Sequence, residues 1–178
     1  MKVIRSLLPL LACSLAGVAA CSSGSAGSAG TCTQVPVYNA SFANYESWTE
    51  FAFTGAAIPG SPHTSGPRRV YLNQKPPHGA TEFPVGTIIV KEIGAPPASG
   101  DSVFAMVKVG CDYNSDGAVN WEWFELQVAT NTASILWSGS EPPPGQSYSG
   151  DPTACNDCHG DAKQNDYVES PELSLSNF

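Results

Sequence analysis

Gly86-Thr87-Ile88-Ile89-Val90-Lys91-Glu92-Ile93 is a run of β-branched residues opened by a glycine, and it reads as a strand. The same kind of segment recurs on both sides of it. Upstream, Val70-Tyr71-Leu72 is a short strand stopped by Asn73 and the Lys75-Pro76-Pro77 break. Downstream, Val103 to Val109 follows a Pro96-Pro97…Gly100 loop, then Val119 to Val128, then Ser134 to Trp137. Short β-branched and aromatic runs bounded by Gly/Pro turns predict a mainly β (α+β) fold: an antiparallel meander with a few short helices. Asn44 to Phe51 carries Tyr45, Trp48 and Phe51 at helical spacing and is the expected early helix. Asp151-Pro152, a capping side chain followed by proline, opens a second one near the C-terminus. Glu169 to Phe178 shows little pattern.

Alternation along the central strand puts Lys91 on the face of Ile89 and Ile93, opposite Ile88, Val90 and Glu92. A lysine on an apolar face must reach water at a strand edge, pair, or lose its proton and become nucleophilic. Parity alone favours the first.

The second predicted helix contains Cys155-Asn156-Asp157-Cys158-His159. Two thiols three apart on a helical turn can add to both vinyl groups of one haem, and the adjacent histidine is then carried beneath the iron. A thioredoxin-type pair wants a βαβ pattern, which this sequence lacks, and a zinc site wants further paired ligands than scattered Cys32, Cys111, His63 and His78. The motif therefore points to one covalent haem c, with His159 as iron ligand. A histidine or methionine opposite would make an electron carrier; an open position would bind or transform small molecules. Met106 lies in an apolar strand and His63 and His78 lie in Pro/Gly loops, so donors are scarce and an open site is favoured.

Residues 1–20, with Lys2 and Arg5 before an apolar run, read as a secretory signal. Val18-Ala19-Ala20-Cys21 resembles a bacterial lipobox, with Cys21 taking the lipid and residues 21–33 forming a Gly/Ser/Ala tether. Ser22 after it fits sorting to the periplasmic face of an outer membrane, and residues 34–178 are the length of one domain. Cys32 and Cys111 are left over; an oxidising compartment allows a bridge, but sequence does not bring them within reach. The formal charge of −8 becomes −10 without Lys2 and Arg5. That balance excludes nucleic acid and leaves the lipid anchor as the one contact with membrane. Asp112-Tyr113-Asn114-Ser115-Asp116-Gly117 begins like a calcium loop, but Trp123 stands where a glutamate is needed, so a hairpin turn is the better reading.

Taken in order, several pieces resemble the cytochrome P-460 family and its beta-type cytochrome c-prime relatives. They are Trp48, Arg69-Val70-Tyr71-Leu72-Asn73, Phe83 to Glu92, Trp121-Glu122-Trp123-Phe124-Glu125-Leu126, the Cys155–His159 motif, and Asn165-Asp166-Tyr167-Val168. The resemblance implies a homodimer with a five-coordinate haem on the proximal histidine. In P-460 members a strand lysine, here Lys91, is bonded to the haem edge and the enzyme oxidises hydroxylamine, passing electrons to a periplasmic acceptor. Their distal carboxylate has its nearest match in Asp112, in a loop of different length. The c-prime relatives lack the cross-link and bind nitric oxide behind an apolar cap, for which Phe104, Trp121 or Phe124 are the candidates here. A plain electron-transfer cytochrome is the third reading.

Overall fold

In a computed structural model the chain divides into two units, residues 1–31 and 32–178. The structure describes residues 32–178 apart from 54–67, 95–96, 99 and 147–153. The signal segment, Cys21, His63 and Asp151-Pro152 therefore lie outside the described residues. Among those described, no helix is long and apolar enough to cross a membrane.

Six strands form one antiparallel sheet in chain order: β1 (Thr49–Phe53), β2 (Arg68–Leu72), β3 (Ile88–Ile93), β4 (Ser102–Lys108), β5 (Trp121–Ala129) and β6 (Thr132–Gly139). Both faces are buried. One packs Tyr71, Ile88, Val90, Ala105, Phe124 and Leu126 beneath Phe42 and Tyr45 of the N-terminal segment. The other packs Val70, Leu72, Ile89, Met106, Trp121 and Trp123 beneath C-terminal residues Tyr167, Val168, Leu173 and Leu175. That second face also receives the one α-helix described, α1 (Ala154–Gly160), through Cys155.

The early helix is a correction. Tyr45–Ser47 is a single 3-10 turn, and Thr49 to Phe53 is β1, zipped against β2 from Thr49↔Leu72 to Phe53↔Arg68. Sheet pairing outweighs the local spacing of Tyr45, Trp48 and Phe51. The patternless tail is ordered into two 3-10 turns, Pro171–Leu173 and Leu175–Asn177, whose leucines are buried.

A bulge on β6 sets the far edge. Leu126 pairs with Ile135 but Glu125 pairs with Trp137, so Leu136 has no partner across the ladder. One extra residue shifts the alternation, sending Ile135 to the N-terminal face and Trp137 to the α1 face. Leu136 itself is 50% exposed. Deleting Leu136 turns Trp137 away from its core and is expected to cost about 3 kcal/mol of unfolding free energy in urea titration. Leu136→Ala, which keeps the count, stays within ~0.5 kcal/mol of the parent.

Candidate functional site

A seven-residue helix has too few internal hydrogen bonds to hold its own geometry. Asn156, between the two cysteines, does that work for α1. Its Oδ1 accepts from Asn114 Nδ2 at 2.8 Å, Trp123 Nε1 at 3.0 Å and the Ala118 backbone at 3.2 Å. Its Nδ2 donates to Asn114 Oδ1 at 3.1 Å and to the Ser140 carbonyl at 3.0 Å. Every polar valence of the amide is thus spent on the loop between β4 and β5, on β5 itself, or just beyond β6. Gly117 leaves the room: a Cβ there would lie inside the Asn156 amide.

The Asp112–Gly117 segment is that loop. It is a turn carrying left-handed backbone at Cys111, Asp112 and Asn114 (φ 60°, 55° and 57°). Asp112 is exposed, with its backbone N–H donated to Asn120 Oδ1 at 2.8 Å. Cys111 is joined to Cys32 by a disulfide that closes a separation of 79 residues, with Cα atoms 5.6 Å apart.

Cys155 and Cys158 are not in disulfides. Burial, and then the neighbouring Cys158, push the Cys155 thiol up to about 11. That is opposite to the shift an attacking redox thiol needs, so Cys155 is a poor nucleophile for disulfide exchange. His159 Nδ1 lies 2.6 Å from the Tyr167 carbonyl, which can only accept, so the proton is on Nδ1 and the Nε2 lone pair is left for a metal. Desolvation lowers the imidazole to about 4, against the opposing effect of that carbonyl. The ring is also packed on Trp123, with centroids 4.6 Å apart. A neutral, oriented imidazole next to two cysteines outside any disulfide fits the donor set that a c-type haem requires.

Lys91 shares this environment. One row across the α1 face runs Phe51, Val70, Lys91, Phe104, Glu125, Trp137. Desolvation, reinforced by Arg68, lowers the Lys91 ammonium to about 8, opposed by Glu169 and the two cysteines. Lys91 also acts on His159 electrostatically. Cys155, Cys158, His159 and Lys91 are thus brought to one place, and Asp112 makes no described hydrogen bond or ion pair with them.

Of the three pocket-lining aromatics expected, Phe124 is a correction: odd–even alternation turns it to the N-terminal face, 5.4 Å from Phe42. Phe104 stays beside Lys91, and Trp121 packs on Phe83 at 6.0 Å. Met106 is buried between Ile89 and Trp123 in the ladder, and His78 is exposed between β2 and β3.

Two features escaped the sequence reading. The first is Asn156, since the two central positions of the motif are chemically open and nothing local marks one as a hub. The second is Lys108, which alternation does signal, because it follows Phe104 and Met106 on the α1 face. It is 1% exposed and bonds Asp166 at 2.6 Å.

Asn156→Ala strands several donors and acceptors at once, and is expected to speed hydrogen exchange of the α1 amides about 30-fold, the equivalent of ~2 kcal/mol. Gly117→Ala, which displaces the same amide sterically, acts in the same direction. No protein-family model matches this chain, and no curated protein or solved structure matches it.

Proposed function

We propose that the protein is an exported lipoprotein, anchored through Cys21, that carries one haem c on Cys155 and Cys158 with His159 as the proximal iron ligand. Its proposed chemistry is oxidation of a small nitrogen species, hydroxylamine, at an open iron position, with electrons leaving to a periplasmic acceptor and the domain working as a homodimer. The observation that carries this reading is His159. Its Nδ1–H is committed to the Tyr167 carbonyl, which leaves Nε2 as the lone-pair nitrogen, beside two cysteines outside any disulfide and within the field of Lys91.

Haem c supplies the redox centre and the binding position. The chain's own residues supply the rest. A lysine lowered to about 8 is about one-tenth neutral amine at pH 7, which suits it to join the haem edge in a step that would break one N–H and one haem C–H bond and pass two protons to solvent and two electrons to the same periplasmic acceptor. Proton removal from a bound hydroxylamine calls for a carboxylate on the same face. Glu125 shares the Lys91 row, two strands away at roughly 10 Å by sheet spacing, with Oε2 taking a 2.8 Å bond from Trp137 Nε1. It suits that role better than exposed Asp112. The resemblance to cytochrome P-460 supports the same assignment for Lys91. A second reading, nitric oxide binding without a cross-link, is favoured by the apolar neighbours of Lys91, Val70 and Phe104.

Mass spectrometry of haem peptides and the absorption spectrum of the reduced protein test the choice. The oxidase reading expects haem on the Cys155–Cys158 peptide joined also to Lys91, a strongly red-shifted Soret band, and reversion to an ordinary c-type spectrum in Lys91→Met. A high-spin c-type spectrum with free Lys91 overturns it in favour of nitric oxide binding. A haem-free peptide overturns both.

A further inference from the structure

The carbonyl that orients His159 belongs to an improbable piece of backbone. Asp166 and Tyr167 are consecutive non-glycine residues in left-handed conformation, with φ 53° and 65°. Such residues are strained and persist only where the surroundings over-determine them; for a bulky tyrosine the conformation is an outlier. The turn brings Tyr167 N–H back to the Ala162 carbonyl at 2.9 Å and so aims the Tyr167 carbonyl at the imidazole, eight residues upstream.

What holds the turn is the Asp166 carboxylate, 7% exposed. Its Oδ2 accepts from Lys108 Nζ at 2.6 Å and from the Phe83 backbone N–H at 2.8 Å, and its Oδ1 accepts from Trp121 Nε1 at 3.4 Å. Lys108 closes the far end of β4, pairs again with Glu82 at 3.0 Å, and lies over the Trp121 ring. Next to it, Asn165 binds the Val168 and Leu173 carbonyls and the Leu175 N–H, fixing the chain that leaves the turn. None of these groups reaches His159 itself. They fix the one acceptor that does.

We infer that Asp166, held by Lys108, is a positioning residue for the iron-binding histidine: the buried pair locks the Asp166–Tyr167 turn so that the Tyr167 carbonyl keeps its hydrogen bond to His159 Nδ1. This builds on the haem reading above. A short, fixed bond to Nδ1–H gives the imidazole anionic character, which strengthens its bond to iron and favours the ferric state. A buried ion pair serving stability alone predicts no change at the iron.

The test uses the full-length, haem-loaded protein, with covalent haem on the Cys155–Cys158 peptide verified first by mass. Resonance Raman spectra of the ferrous form read the iron–histidine stretch, and potentiometry reads the reduction potential. Asp166→Asn keeps the shape and removes the charge; Lys108→Met removes the partner. Both are expected to move the stretch to lower frequency and raise the potential, and Asp166→Ala is expected to do so further. A stretch and potential unchanged in Asp166→Asn and Lys108→Met, with only the melting temperature lowered, overturns the inference while leaving the haem reading intact. Absence of haem from the parent protein overturns the haem reading and this inference with it.

Discussion

A helix of two turns cannot hold a reactive motif in place by itself, and the whole candidate site depends on what fastens α1 to the sheet. Two side chains do so from within the motif. Asn156 spends its amide on the β4–β5 loop and Trp123, while His159 spends Nδ1 on the Tyr167 carbonyl. The first fixes where the helix lies. The second fixes how the imidazole is turned. Cys155 and Cys158 stay outside any disulfide, and the Nδ1 bond leaves Nε2 as the lone-pair nitrogen of the imidazole.

The sheet sorts charge by parity. Lys91 and Glu92 are neighbours in the chain and belong to opposite faces. Glu92, 2% exposed, is neutralised where it stands: Arg69 Nε reaches it at 2.8 Å and Tyr45 donates its hydroxyl at 2.8 Å, under the N-terminal segment. With that carboxylate occupied across the sheet, Lys91 has Val70 and Phe104 as its cross-strand neighbours on the α1 face, and desolvation outweighs Arg68, Glu169 and the cysteines in setting its pKa. The second lysine of that face, Lys108, is treated differently. It has Asp166 and Glu82 as partners, and its role is to fasten backbone.

Strand identities and order were legible in the sequence, because five of the six are β-branched or aromatic runs between turn residues, and local chemistry decides them. β1 was not legible: its first residues, Thr49 to Phe51, end a segment whose Tyr45, Trp48 and Phe51 have helical spacing, and they become a strand by pairing with β2, a non-local event. Trp137 could not be assigned to a face, since the bulge at Leu136 is visible only in the pairing of Glu125 and Leu126. At the site, Cys155, Cys158, His159 and the parity of Lys91 could be read from spacing. Asn156, Asp166 and the Tyr167 carbonyl could not, because their roles depend on partners 33 to 83 residues away or on a backbone oxygen that no side chain announces.

The two kinds of cysteine in the described domain have different fates for physical reasons. Cys32 and Cys111 are bridged across 79 residues, a closure on the order of 4 kcal/mol by chain entropy. A compartment that sustains this bond would also oxidise two thiols three residues apart, unless something slows the attack. Exchange proceeds through the thiolate. With Cys155 pushed up to about 11, roughly one molecule in ten thousand carries that thiolate at neutral pH. Burial thus slows attack by the Cys155 sulfur. The bridge acts on α1 from outside: it ties Cys111, and with it the left-handed loop that carries Asn114, to the start of the domain, so the loop that grips Asn156 is covalently braced.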